Sequence, residues 1–279
     1  MIPPSNDAAP VAAAAFADSP DYVQSLHRGL AVIRAFDSEH TSLTLSEAAA
    51  RAGLSRAVVR RLLMTLEYLG YARRQGRQFC LTPRLLELGF SYLSSLTVAS
   101  LAQPFMEEVA REIDESCSLA VLDEYDIVYV QRVAVRKVMS ITLDIGARLP
   151  AYCTSMGRML LAALEEPALE RWLRGLRPQA CTRFTLTDRE ELRAAVARAR
   201  TQAYAYVEQE LQEGLCSLAV PVRDARGGTV AALNAGMPFR VGARAHALKK
   251  VLPALRAGAR DIERSLAARA GGTAMLVSP

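Results

Sequence analysis

The stretch Thr44–Leu81, TLSEAAARAGLSRAVVRRLLMTLEYLGYARRQGRQFCL, decides the N-terminal part of the fold. Thr44 can cap a helix start, and Glu47 stands three residues later to close a capping box. The helix from Leu45 to about Arg51 is rich in alanine, the best helix former. Gly53 breaks it, because glycine at the C′ position takes positive φ without a Cβ penalty. Ser55 caps a second helix, in which Val59, Leu62, Leu63, Leu66 and Leu69 recur at three- and four-residue spacing as one buried stripe. Arg56, Ala57, Arg60, Arg61 and Met64 fall mainly on the other side, and Gly70 ends the helix. Ala72–Arg74 and Gln78–Leu81 can pair across Gln75-Gly76-Arg77. Two short helices, a tight turn and a hairpin make a winged helix-turn-helix pattern.

A helix end carrying Ser55, Arg56, Ala57 and Arg60 can enter the major groove of double-stranded DNA. There an arginine pairs with guanine and a small side chain lies against a thymine methyl. Arg61 belongs to the same reading helix. Arg73, Arg74 and Arg77 on the wing are placed for phosphates or the adjacent minor groove. Any surface helix carries arginines, so charge distribution has to decide. Residues 21–84 hold 10 Arg against 5 Asp+Glu, a net of +5. The whole chain has 34 Lys+Arg and 29 Asp+Glu, also +5, which leaves 24 against 24 elsewhere. The positive excess therefore sits in the helix-turn-helix segment, as nucleic-acid binding requires.

With 279 residues the chain is long enough for two domains, and 51% hydrophobic content supports a substantial core. No apolar run reaches membrane-spanning length. The first twenty residues carry Asp7 and Asp18 where a secretion signal has a basic region, so a disordered arm over 1–20 is expected. The five cysteines are scattered without zinc-ligand spacing, and only three histidines occur. No metal and no cofactor is implied, and reduced thiols point to a cytoplasmic protein.

Residues 21–83 read as the DNA-binding domain. Its first helix, Asp21–Phe36, presents Leu26, Leu30, Ile33 and Phe36 as a stripe that can pack on the helix-turn-helix, and Asp37–Leu43 is a polar connection. A linker helix over 84–101, opened by Thr82-Pro83, carries apolar surface on more than one side, which fits a dimer matching a two-fold operator. Residues 102–268 alternate helix and strand. AQPFMEEVAREIDE is amphipathic, CSLAVLDEY and DIVYVQRVAV are strands meeting near Asp123–Asp126, and KVMSITLDIG continues the pattern. Arg148-Leu149-Pro150 ends a loop. Helices follow at MGRMLLAAL, from Pro167, and over Asp188–Gln202. LCSLAVPVRD and TVAALNAGMP are joined by a turn near Arg226-Gly227-Gly228, a last helix spans Ala243–Leu266, and 269–279 is a flexible tail. The class is α+β with a mostly antiparallel sheet.

For catalysis, Cys153, Ser155 and Ser217 could serve as nucleophiles, but the domain's lone histidine, His246, has nothing to bring it near them. The pairs Glu107-Glu108, Glu165-Glu166 and Glu190-Glu191 lie in helical surface patterns. An enzyme is therefore not expected. For ligand binding the best stretch is Leu149–Gly157, LPAYCTSMG. A loop feeding a helix start offers free backbone N–H groups to a carboxylate, and Thr154 and Ser155 add hydroxyls. Asn234, in an apolar strand, needs a polar partner. Arg132, Arg148 and Arg158 could neutralise an acid.

SLHRGLAVIRAF, LTLSEAAARAGLSRAVVRRLLMTLEYLGY and LTPRLLELG, in that order, resemble the N-terminal half of the IclR-type bacterial transcription regulators. RLPAYCTSMGRMLLAAL, ELQEGLCSLAVPVRDARGGTVAALN and the closing helix resemble their C-terminal effector domain. DYVQSLHRGLAVIRAF, LTPRLLELGFSYLSSL and LPAYCTSMGR look closest to regulators of the β-ketoadipate pathway, which control protocatechuate and 4-hydroxybenzoate catabolism. The resemblance, over about residues 22–266, implies a winged helix, a linker helix and a GAF-like effector-binding domain with an antiparallel sheet. It implies a homodimer able to pair into a tetramer, binding an operator and a small organic acid of the protocatechuate, 4-hydroxybenzoate or β-ketoadipate class. The implied effector site is Ala151, Tyr152, Cys153, Thr154, Ser155, Met156 and Gly157, faced by the stretches Glu208–Ser217 and Leu233–Gly236, in which Glu208, Ser217, Asn234 and Gly236 are singled out. Members that bind small α-keto acids differ at those last four positions, which fits a different ligand here. A regulator of another organic-acid operon and an architectural DNA protein without effector remain the competing readings.

Overall fold

The computed structural model describes residues 16–37, 39–88, 97–135 and 144–273. The chain divides after Ser95 into two compact units. In the first, α1 (Gln24–Arg34), β1 (Ser42–Thr44), α2 (Leu45–Ala52) and α3 (Arg56–Tyr68) precede the hairpin β2 (Ala72–Gln75) and β3 (Gln78–Leu81). The capping box is formed: the Glu47 amide donates to Thr44 Oγ1, and the Glu47 carboxylate accepts from the Thr44 amide at 2.8 Å. Gly53 takes φ 64° between α2 and α3, which is why a glycine stands there.

Three expectations need correction in this unit. The hairpin closes through two residues rather than three, since Gln75 already pairs with Gln78. Part of the polar connection before Thr44 is a strand, because β1 pairs with β3 and widens the wing to the order β1-β3-β2. Of the stripe Leu26, Leu30, Ile33 and Phe36, Phe36 packs against the core but Leu26 and Leu30 face away from it. Val32 and Ala35 are buried in one cluster with Ala48, Ala49, Val59, Leu63 and Phe79, whereas Leu26 and Leu30 are 63% and 46% exposed. Leu69 is likewise exposed, since it lies past the end of α3.

The expected linker helix falls partly outside the described residues. Pro83–Leu85 forms a 3₁₀ turn, and α4 (Thr97–Ile113) starts the second unit. Here β4 (Ser116–Asp123), β5 (Asp126–Val133), β6 (Arg148–Pro150), β7 (Ala205–Glu208), β8 (Leu215–Arg223) and β9 (Thr229–Pro238) make one antiparallel sheet ordered β6-β5-β4-β9-β8-β7. Arg148–Pro150, expected to end a loop, is a strand paired with Asp126–Val128. The continuation expected over KVMSITLDIG lies mostly outside the described residues, as do the first fifteen residues and the last six.

Strand alternation sorts the sheet into two faces. Cys117, Leu119, Leu218, Val220, Leu233 and Ala235 point to a layer made by α4 and the closing helices α8 (Ala243–His246) and α9 (Leu252–Thr273). Ile127, Tyr129, Ala120, Ala219 and Ala232 point to a second layer of α5 (Ser155–Leu161), α6 (Glu166–Gly175) and α7 (Arg189–Gln202). Helix α9 runs on to Thr273, through the glycines expected to open a loose tail, so the helix outlasts the expected Leu266 end.

Candidate functional site

The eight candidate DNA contacts all sit on the surface of the first unit. Ser55 Oγ accepts from the Val58 amide and so fixes the start of α3, with Arg56, Ala57, Arg60 and Arg61 exposed beyond it. No described carboxylate lies within 4.0 Å of Arg56, Arg60, Arg61, Arg73 or Arg77. Arg74 differs from them. Its guanidinium lies 3.8 Å from Glu67 and 6.0 Å above the Phe79 ring, so it also covers the edge of the core.

In the second unit a cavity of about 430 Å³ opens on the α5–α7 face of the sheet. Register explains its floor. Ser118, Asn234 and Ala219 stand side by side on β4, β9 and β8, and Ser116, Gly236 and Ser217 form the next row. The first row leads into the apolar row Ala120–Ala232, so the polar rows mark where sheet leaves core and becomes cavity floor. A Cβ placed on Gly236 would meet nothing within 4 Å, so that position is open space. The Oδ1 atom of Asn234 is buried and lacks a hydrogen-bond partner among the described residues. That is an incomplete arrangement for a buried amide.

Cys153, Thr154 and Met156 contribute the rim at the start of α5, and residues 209–215 close the opposite side. Arg132 supplies the cation among the described lining residues. Tyr129 lines the wall as well, and burial pushes its phenol up to about 12.

The expected effector residues divide. Cys153, Thr154, Met156, Ser217, Asn234 and Gly236 line this cavity. Ala151, Tyr152, Ser155, Gly157 and Glu208 do not. The Tyr152 hydroxyl donates to the Gln179 carbonyl at 2.6 Å and accepts from the Gln179 amide at 3.1 Å, away from the cavity. Ser155 is fully buried. Gly157 packs on Ala151, whose carbonyl oxygen would lie 2.0 Å from an added Cβ. Glu208 alternates with the cavity-lining Val207 and so belongs to the other face. Of the three arginines considered, Arg148 is held by Asp123 and Asp126, and Arg158 by Glu210; Arg132 alone of them faces the cavity.

Sequence reasoning missed Ser118 and Tyr129, whereas the 209–215 segment lies inside the Glu208–Ser217 stretch that the family resemblance implied. Ser118 and Tyr129 interrupt the strand runs as Asn234 interrupts β9, and a polar residue on an inward position was the available signal. Residue pattern alone gave no signal for the 209–215 segment, which the resemblance supplied.

The helix-turn-helix profile of the IclR family matches residues 25–76, and the profile of the bacterial transcriptional regulator IclR C-terminal domain matches residues 90–264. The chain belongs to the IclR family of bacterial transcription regulators, and it is a DNA-binding regulator rather than an enzyme. It is 43% identical over 249 residues to the Pca regulon regulatory protein of Pseudomonas putida, covering 89% of this chain and 86% of that one. It is 33% identical over 247 residues to the p-hydroxybenzoate hydroxylase transcriptional activator of Acinetobacter baylyi, covering 87% and 91%. Among solved structures, a transcriptional regulator from Rhodococcus sp. RHA1 superposes with TM-score 0.78 at 48% identity, covering 88% of this chain and 98% of that one. An IclR homolog from Microbacterium hydrocarbonoxydans, complexed with 4-hydroxybenzoate, superposes with TM-score 0.78 at 28% identity, covering 87% and 98%. No helix among the described residues is long and apolar enough to cross a membrane.

Proposed function

We propose that this regulator controls genes for aromatic-acid catabolism and that its effector, an acid of the protocatechuate or 4-hydroxybenzoate class, binds in the cavity above Ser118 and Asn234. The observation that carries the reading is the unpartnered buried Asn234 Oδ1 in a cavity whose described cation is Arg132. A ligand hydroxyl can donate to that oxygen, while a carboxylate lies toward Arg132 or the start of α5. At about 430 Å³ the cavity falls within the range of small-molecule sites. The relatives named above, with their Pca and p-hydroxybenzoate associations, support the same ligand class.

The protein acts as a homodimer, two of which can pair. The exposed Leu26 and Leu30 on α1, with Val23 just before it, supply apolar surface for a twin. Ser55, Arg56, Ala57, Arg60 and Arg61 read the operator, and Arg73, Arg74 and Arg77 hold its backbone. The effector shifts operator binding only in so far as it binds one state of the dimer better than the other. Calorimetric titration with 4-hydroxybenzoate, protocatechuate and β-ketoadipate, alongside operator binding with each, tests the reading. Saturable binding of an aromatic acid is expected, and heat from none of the three overturns it.

A further inference from the structure

The turn Ala151–Cys153 and the segment between α6 and α7 meet at a pair of thiols. Cys153 Sγ and Cys181 Sγ stand 4.0 Å apart, 28 residues apart in the chain. The approach is built rather than incidental, because the Tyr152 hydroxyl holds both the amide and the carbonyl of Gln179 and so fixes the second segment on the first. That hydroxyl also lies 3.8 Å from Cys181 Sγ. The two thiols differ in access. Cys153 is fully buried and lines the cavity, whereas Cys181 is partly exposed. The sulfurs would have to close by roughly 2 Å to reach a disulfide bond length.

We infer that Cys153 and Cys181 form an oxidisable dithiol, with Cys181 the thiol oxidised first by a hydroperoxide and Cys153 the thiol that resolves it into a disulfide. The chemistry balances in two steps. The Cys181 sulfur attacks a peroxide oxygen and the O–O bond breaks. Sulfur is oxidised to a sulfenic acid, while the departing oxygen takes up the thiol proton and leaves as water or an alcohol. The Cys153 sulfur then attacks the Cys181 sulfur. The S–S bond forms, the S–O bond breaks, and the hydroxide leaves with the Cys153 proton as water. The electrostatics favour this division of labour. The hydrogen bond from Cys153 pulls the Cys181 thiol down to about 6, and that same contact together with burial holds Cys153 well above its ordinary value.

The disulfide would report on the cavity because the Cys181 segment is tied to the cavity wall. Thr182 Oγ1 donates to the Gln209 carbonyl at 2.7 Å, and Thr185 Oγ1 to the Glu210 carbonyl at 2.6 Å. The Leu186 amide donates to the Glu210 carboxylate at 3.3 Å. Gln209 and Glu210 line the cavity, as Cys153 does. A Cys153–Cys181 bond therefore ties one rim covalently to the segment that hydrogen-bonds the other.

Hydrogen peroxide treatment of the full-length protein, followed by alkylation and digestion without reductant, tests the proposal. The expected result is a linked Cys153–Cys181 peptide pair and the loss of two of the five free thiols, both reversed by dithiothreitol. In Cys153→Ser the same treatment should leave Cys181 as a sulfenic acid that dimedone traps, and in Cys181→Ser no linked peptide should form. Amide exchange over residues 209–215 should slow on oxidation of the unaltered protein. Two thiols that stay alkylatable, or dimedone capture of Cys181 in the unaltered protein without any linked peptide, would overturn the dithiol. Unchanged exchange over 209–215 would overturn its link to the cavity. None of these readouts requires an effector.

Discussion

The Arg158 guanidinium donates to the Glu210 carboxylate at 2.6 Å, with both side chains more than nine-tenths buried. This pair joins the first turns of α5 to the loop that closes the cavity. Removing one partner of a buried pair strands the other charge, at a cost of about 3–5 kcal/mol. Glu210→Leu should therefore lower unfolding stability by about that amount, and Arg158→Met by a similar one. The double variant Arg158→Met/Glu210→Leu should recover much of the loss. Urea unfolding of all four proteins checks it; additive losses in the double variant would show that the two side chains act independently.

Gly157 makes a different argument about the same turn. An added Cβ would lie 2.0 Å from the Ala151 carbonyl oxygen, which is backbone and has little room to move. Overpacking of this kind costs about 1–3 kcal/mol and occasionally more. Gly157→Ala should thus destabilise the C-terminal unit, whatever ligand is present. A variant with an unaltered thermal transition and weaker effector binding would instead make Gly157 part of the binding surface.

Much of this was legible in the sequence where local chemistry sets the structure. Thr44, Glu47, Gly53 and Ser55 each act within three or four residues of themselves, and each does what its type and spacing predict. Asn234 was visible as a polar residue in an apolar strand. What the sequence concealed depends on contacts made from afar. Leu26 and Leu30 carry the right periodicity for a core stripe, but it is Val32 and Ala35 of that segment that join the buried cluster with Ala48 and Ala49. β1 and β6 are three residues each, too short to leave a period of their own, and exist because β3 and β5 offer free edges. Within LPAYCTSMG, lining and packing residues alternate by a turn geometry that sequence does not print. Tyr152 and Ser155 therefore seemed as good as Cys153 and Met156.

In the proposed site, substitution of Asn234 should separate ligand recognition from folding. Its Oδ1 has no described partner, so Asn234→Leu removes an unsatisfied group and should leave stability within about 1 kcal/mol or raise it. The same change deletes a polar contact and fills part of the cavity. It should raise the 4-hydroxybenzoate dissociation constant by about tenfold or more, the equivalent of one hydrogen bond to a buried group. Paired thermal-shift and calorimetric titrations decide it. Loss of stability with unchanged affinity would assign Asn234 to the scaffold.

The capping box makes the N-terminal unit sensitive to acid. Hydrogen bonds from the Thr44 backbone and side chain hold the Glu47 carboxyl below its ordinary value of 4.5. A carboxylate with a depressed folded-state pKa contributes fully above its unfolded value and loses that contribution as pH falls through the folded value. Between pH 7 and 5 the unit's thermal transition should not respond to Glu47, whereas below 4.5 the parent should lose stability faster than Glu47→Gln, whose amide does not titrate. Parallel curves for the two proteins from pH 5 to 3 would remove Glu47 from the acid response.

The reading helix and the wing should fail in different ways when stripped of charge. Arg60 is exposed on α3 and meets no described carboxylate, so it is available to a base edge. Arg60→Ala should cost about 1–3 kcal/mol of operator binding and relax preference at one position, with little change on scrambled DNA. Arg77 sits in the two-residue turn of the wing, where a phosphate is the natural partner. Arg77→Ala should weaken operator and scrambled DNA alike and reduce the slope of log affinity against log salt by about one. Arg74 stands between these cases, since its contacts with Glu67 and Phe79 make part of any loss structural. Titrations of operator and scrambled duplex at several salt concentrations check all three. Equal losses on both duplexes for Arg60→Ala, with a reduced salt slope, would move Arg60 from the bases to the backbone.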